Sequence, residues 1–221
     1  MEFNHGTELL ELCEKNKMPI SLVMKKREAE FSGITEEEVE KKMRKAWKIM
    51  KESARKPLKD PVLSIGGLIG GEAKKLKEYH EKGRSVCGDL MSRAITYAMA
   101  VLEVNASMGV IVAAPTAGSS GVVPGVLLAL QEEYDLPDEE ILNGLYTAGA
   151  VGYLLMRNAS VAGAEAGCQA EVGAASAMAA AAAVEIMGGT PVMCLNAASG
   201  ALANLLGLVC DPIAGLVEAP C

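Results

Sequence analysis

A chain of 221 residues that is 50% hydrophobic but only 4% aromatic can bury one sizeable core, with Gly and Ala rather than rings at its helix crossings. Its net charge of −7 argues against nucleic-acid binding, which needs a basic face for phosphates. The charge is uneven: residues 1–82 carry 18 Lys and Arg against 15 Asp and Glu, residues 83–221 only 3 against 13, and no lysine follows Lys82.

The N-terminus MEFNHGTELLELCEKNK is charged and has no apolar core, so no secretory signal is expected. The apolar stretch 172–187 is mostly Ala and contains Glu185, too weakly hydrophobic to span a bilayer of about 30 Å. Six cysteines without a signal point to a reducing cytoplasm, where thiols remain available as ligands.

Residues 7–17 predict a short helix with Leu9, Leu10, Leu12 and Cys13 on or near one side; Pro19 interrupts it and Ile20 to Glu30 resumes the pattern. Thr35-Glu36-Glu37-Glu38 is a capping box. Val39, Met43, Trp47 and Met50 then recur at helical spacing, so Trp47 is expected in the core or an interface, and Pro57 and Pro61 close the segment. These boundaries divide the chain into a charged N-terminal helical arm, 1–60, and a main helical domain, 61–221.

SIGGLIGG (64–71) is a glycine-rich turn, but no Gly-Lys-Ser/Thr follows it and no clear strand precedes it, which disfavours a nucleotide loop. The following lysines read as a solvated face, and His80, like His5, as a surface residue. Residues 86–104 predict an apolar helix. Next come Asn105-Ala106-Ser107-Met108-Gly109, the β-branched run 110–112 and Ala113-Ala114-Pro115-Thr116-Ala117-Gly118-Ser119-Ser120-Gly121. Small residues, hydroxyl side chains and free amides ahead of an apolar helical run suit either an anion seat for an amino-acid carboxylate or an ordinary capped loop. Pro137-Asp138-Glu139-Glu140 opens a helix to about Met156, residues 174–187 form another, Gly188-Gly189 breaks it, and 197–208 form the last, feeding Cys210. Helices dominate and strand signals are few, so the predicted class is all-α: a compact multi-helix domain with small-residue packing and glycine-rich loops.

Cys168, Cys210 and Cys221 sit in AGCQAEVG and LVCDPIAGLVEAPC. A lone cysteine is most often a small buried hydrophobe. Three, two of them beside Gly or Pro turns, read better as ligands presented by loops. None forms a CxxC pair, which argues against a zinc ribbon or thioredoxin-like motif. GCQAEVG followed by GLVCDPIAGLVEAPC, the cysteine intervals of 42 and 11, EVNASMGVIVAAPTAGSSGVVPG (103–125) and NASVAGAEAGCQAEVG (158–173) together resemble the alpha chain of bacterial iron-sulfur L-serine dehydratases. The resemblance covers most of the chain, more loosely before Gly66.

That resemblance implies a [4Fe-4S] cluster on Cys168, Cys210 and Cys221, with one iron open as a Lewis acid for the serine β-hydroxyl. It implies that Thr116, Ala117, Gly118, Ser119 and Ser120 receive the substrate carboxylate, although the family often has Cys where this chain has Ser120. Asn105, Ser107, Asn158 and Ser160 would support them. Glu171 reads as a base, a partner for the substrate ammonium or a structural acid, whereas Cys13, Cys87 and Cys194 read as packing. The implied reaction deaminates L-serine to pyruvate and ammonia, in cytoplasmic amino-acid catabolism feeding gluconeogenesis, with a beta chain as partner in a homo- or hetero-oligomer. Pyridoxal phosphate is not expected, because the loops at 118–121 and beyond lie where there is no lysine for a Schiff base. Residues 61–221 would be the catalytic domain without its C-terminal part, and the isolated chain is expected to be inactive. The alternatives are a non-catalytic assembly module that pairs with a beta chain, its cysteines unligated, and a three-cysteine zinc protein.

Overall fold

Residues 1–83 and 85–206, with the backbone of Pro212–Ile213 and Leu216–Val217, are described by a computed structural model. Among them the chain runs through α1 (Gly6–Asn16), α2 (Ile20–Ser32), α3 (Glu36–Lys59), α4 (Glu72–His80), α5 (Gly88–Ala106), α6 (Val122–Tyr134), α7 (Asp138–Asn158), α8 (Gly163–Ala166), α9 (Cys168–Ile186) and α10 (Pro191–Asn204). The segments Pro212–Ile213 and Leu216–Val217 pair as a short antiparallel ladder. The expected all-α class is the class observed.

Local chemistry sets the boundaries. α1 and α2 end on left-handed residues, Lys17 (φ 52°) and Gly33 (φ 64°), which close off the last carbonyls. At the start of α3 the Glu38 amide donates to Thr35 Oγ1 (3.2 Å) and the Thr35 amide donates to Glu38 Oε2 (3.0 Å), the reciprocal pair expected from the sequence. Pro57 does not stop α3, which continues to Lys59. The ring is buried and the helix ends two residues later, so only one backbone bond is forfeited. α9 begins six residues before the expected 174, because Gly167 turns the chain at φ 80° and Glu171 puts an acid beside the positive end of the helix dipole. α10 likewise starts early: Thr190 caps it through the Met193 amide (3.4 Å) and Pro191 fills its first position.

The helices form one body. α9 packs on α7, α10 and α6, while α5 packs on α6, α3 and α4, and α2 lies on α7. Phe3, Leu9, Ile20 and Trp47 from the charged arm share one buried cluster with Leu127, Ile141, Val151 and Met178. Small residues set the crossings. α9 buries Ala174, Ala175, Ala177, Ala179, Ala181 and Ala182, and α7 presents Gly144 and Gly152 toward it. A Cβ at Gly144 would lie 2.5 Å from Ile186 Cδ1, and one at Gly152 3.0 Å from the Met178 sulfur. No helix among the described residues is long and apolar enough to cross a membrane.

Asp138 ties α7 to the arm. It accepts from Trp47 Nε1 (3.0 Å), Lys51 Nζ (2.9 Å) and Gln131 Nε2 (2.9 Å). Partial burial pushes its pKa up, but the three hydrogen bonds and the Lys51 charge outweigh this and hold it at about 2, below the ordinary 3.8. A depressed carboxyl stabilises the fold above its unfolded pKa, and that stability is lost as pH falls through the folded value. Because the side chain is 40% exposed, screening reduces the effect, and Asp138→Asn is expected to lower stability at neutral pH by roughly 1 kcal/mol. Denaturant melts across acidic pH will show the deficit shrinking between about pH 4 and about pH 2.

Candidate active site

The site forms where the C-terminus of α5, the loop before α6 and the N-terminus of α9 meet. From α5, Asn105 Nδ2 donates to the Ala117 carbonyl (3.1 Å), bracing the loop across twelve residues. The loop passes a cis Ala114–Pro115 bond and folds on itself. Thr116 Oγ1 and Ser119 Oγ share a hydrogen bond (3.2 Å), Ser119 Oγ donates to the Ala114 carbonyl (3.3 Å), and the Ser120 amide donates to the Ala117 carbonyl (3.2 Å). Ser119 and Ser120 are buried. Among the described residues the Gly118 and Ser119 amides make no backbone hydrogen bond, and they lie just ahead of α6, where the dipole favours an anion.

The Glu171 carboxylate is fitted between two glycines. A Cβ at Gly118 would lie 3.2 Å from Glu171 Oε2, and one at Gly163 only 2.5 Å from the same oxygen. Glu171 therefore stands against the 116–120 loop from the first turn of α9, three residues after Cys168. Cys168 was expected on a loop but occupies the first position of α9, directly after Gly167. A helix N-terminus favours the thiolate through its dipole. Its sulfur is engaged rather than free. Cys210 and Cys221 lie outside the described residues, and among the described ones no three His, Cys, Asp or Glu side chains converge as a metal-binding group.

The remaining candidates take supporting positions. Ser107 Oγ donates to the Val104 carbonyl (2.9 Å) at the end of α5. Asn158 Nδ2 donates to the Asn4 and Leu154 carbonyls (2.8 and 2.9 Å). Ser160 Oγ donates to Glu165 Oε2 (2.7 Å) and accepts from the Ala162 amide (3.3 Å). The Asn158 and Ser160 bonds shape the link from α7 to α8 that carries Gly163 to Glu171. Sequence reading did not single out Gly163; its only trace is the run of small residues between Ala159 and Gly167. Burial, helped by the nearby Glu185 charge, pushes the Cys13 and Cys194 thiols up to about 11 and about 12, so both are protonated packing residues at neutral pH. Cys87 is exposed.

Known proteins resemble this chain along nearly its whole length. The family described as "Serine dehydratase alpha chain" matches residues 14–221. The chain is 47% identical over 219 residues to the "Probable L-serine dehydratase, alpha chain" of Bacillus subtilis (strain 168), covering 99% of this chain and 73% of that protein. It is 46% identical over 218 residues to the "L-serine dehydratase, alpha chain" of Peptoniphilus asaccharolyticus, covering 99% of this chain and 75% of that protein. It is also 35% identical over 226 residues to the "L-serine dehydratase TdcG" of Escherichia coli (strain K12), covering all of this chain and 49% of that protein. By the family match over residues 14–221 and these identities, the chain belongs to the serine dehydratase alpha-chain family.

Proposed function

We propose that this chain is the alpha subunit of a cytoplasmic L-serine dehydratase, a carbon–nitrogen lyase that releases pyruvate and ammonia. The observation that carries the reading is the Glu171 carboxylate held against Gly118 and Gly163, beside the braced loop and three residues from Cys168. The names of its relatives support the substrate and the pairing with a beta chain. The donor chemistry suits an iron-sulfur cluster: once reduced, Cys168 would offer its sulfur at a helix N-terminus, where the thiolate is favoured. Cys210 and Cys221 would be its companion ligands. Bound there, a [4Fe-4S] cluster supplies a Lewis acid for the β-hydroxyl of serine.

The chain's own groups handle the rest. The substrate carboxylate lies on the Gly118 and Ser119 amides at the head of α6, with Asn105 keeping the loop in place through Ala117. Glu171 takes the α-proton. The C–H electron pair becomes the Cα–Cβ double bond as the β-hydroxyl departs. The resulting aminoacrylate tautomerises to an imine and hydrolyses to pyruvate and ammonia, steps that need no protein group. Ser119 and Ser120 are buried within the loop, and the Ser119 hydroxyl holds its turn through Thr116 and the Ala114 carbonyl.

The test is anaerobic co-production with the beta chain, quantification of iron and sulfide, and pyruvate release from L-serine before and after exposure to air. About four irons per alpha chain and activity lost in air are expected. Turnover by an iron-free complex would refute the cluster; an iron-loaded complex that ignores serine would refute the substrate.

A further inference from the structure

A cavity lies away from this site, between the C-terminal half of α3, the end of α4 and the beginning of α5. It measures about 360 Å³ and is lined by Arg55, Leu58 and Lys59 of α3, by Lys77, His80 and neighbouring Glu81, and by Arg93, Thr96 and Tyr97 of α5. That volume is in the range that takes a small organic molecule. Its wall carries four permanent cations and a histidine against a single carboxylate, in a protein whose net charge is −7.

The cations are held from behind. Glu132 of α6 accepts from Arg55 (2.8 Å) and from the Tyr97 hydroxyl (2.6 Å), and Glu133 pairs with Arg93. These carboxylates lie outside the lining, so they fix the guanidinium groups at the wall without filling the space. Lys77 is 3.6 Å from Glu81, and among the described residues Lys59 is in no ion pair. The wall also holds unused hydrogen-bonding capacity. Arg93 Nε and His80 Nδ1 are both buried and have no partner, a state that is unfavourable until a ligand or water meets it. His80, expected at the surface, keeps only 18% of its side-chain exposure because it packs at this wall. Leu58, the Thr96 methyl and the Tyr97 ring offer an apolar surface alongside the charges.

We propose that this cavity is a binding site for a small organic anion, a carboxylate or phosphate ester with an apolar body, separate from the reaction site. Its anionic head lies among Arg93, Lys59 and Lys77, and its body lies on Leu58 and Tyr97. α5 joins the two places: Tyr97 and Asn105 are eight residues apart on one helix, about 12 Å along its axis.

The experiment is a titration of the ¹⁵N-labelled full chain with inorganic phosphate and, separately, with succinate, at ionic strength held constant by sodium chloride. Saturable amide shifts are expected at 55–59, 77–81 and 93–97, whatever happens at the separate 116–120 seat; shifts confined to 116–120 and 168–171 would overturn the proposal. A response to phosphate alone identifies a phosphate ester, and a response to succinate alone a carboxylate. The double variant Lys59→Gln, Lys77→Gln changes two exposed side chains, so it is expected to fold as the parent does and to bind about tenfold more weakly or worse. Arg93→Gln is the second variant, with the same expected loss. Shifts that fail to saturate at millimolar probe, or that persist unchanged in the lysine variant, would overturn the proposal.

Discussion

Replacing Glu171 with glutamine is expected to lower kcat for L-serine in the anaerobic alpha–beta enzyme by about 10²–10⁴-fold, the usual contribution of a positioned acid–base group. Glutamine keeps the shape of the side chain while removing its charge and its ability to take a proton, so thermal unfolding should move little. The structure offers a finer probe of the same group. In Gly163→Ala the new Cβ would fall 2.5 Å from Glu171 Oε2 and 2.9 Å from its Cδ. The obstructing atoms are the end of a flexible side chain rather than backbone, so the carboxylate swings aside while α8 keeps its place. Activity should fall to a level between the parent and Glu171→Gln, with stability close to the parent's. A purely structural acid predicts the reverse: changed melting temperatures and an unchanged kcat. Full turnover in both variants would remove Glu171 from the chemistry.

The largest effect on folding is expected at the crossing of α5 and α6. A Cβ at Gly125 would lie 2.7 Å from the Ala94 carbonyl oxygen, and one at Gly121 2.4 Å from the Ala98 carbonyl oxygen. These neighbours are backbone, which cannot rotate away, so a single methyl must push the two helices apart. Overpacking of this kind costs about 1–3 kcal/mol and occasionally more, a large share of the roughly 5–15 kcal/mol that holds a domain folded. Gly125→Ala should therefore lower the melting temperature by about 2–4 °C for each kcal/mol lost. Gly121→Ala should also reduce turnover, because Gly121 directly follows Ser120 in the loop proposed to hold the substrate carboxylate. Gly149→Ala provides the contrast. It lies inside α7 and its Cβ would meet nothing within 4 Å, so the better helix former should leave stability unchanged or raise it by up to about 1 kcal/mol. A calorimetric scan of the three variants separates crowding at the crossing from any general intolerance of change at glycine.

These two effects are coupled through the fold. α5 carries Asn105 at one end and meets α6 through Gly121 and Gly125, so the crossing that stabilises the domain also sets the height of the 116–120 loop above Glu171. The close approach of α9 to α7, made possible by alanines on one side and by Gly144 and Gly152 on the other, fixes the second half of the site. Small residues thus set both the packing and the geometry of the candidate site.

Periodicity and local chemistry in the sequence determined the all-α class, the Thr35–Glu38 capping box, the core position of Trp47 and the extents of α1, α5 and α7 to within a few residues, because each depends on neighbours along the chain. The sequence likewise marked the 116–120 loop and Cys168 as candidates. Tertiary structure alone decided the rest. Glu171, and with it the first turn of α9 that holds Cys168, is brought against the 116–120 loop because α9 packs on α6 and α7. His80 is covered because α4 folds back on α5. Gly163 and Gly118, 45 residues apart in the chain, meet on the same carboxylate only when α8, α9 and the loop are packed together. A glycine has no side chain to announce a role, so its importance appears only in what its missing Cβ leaves room for.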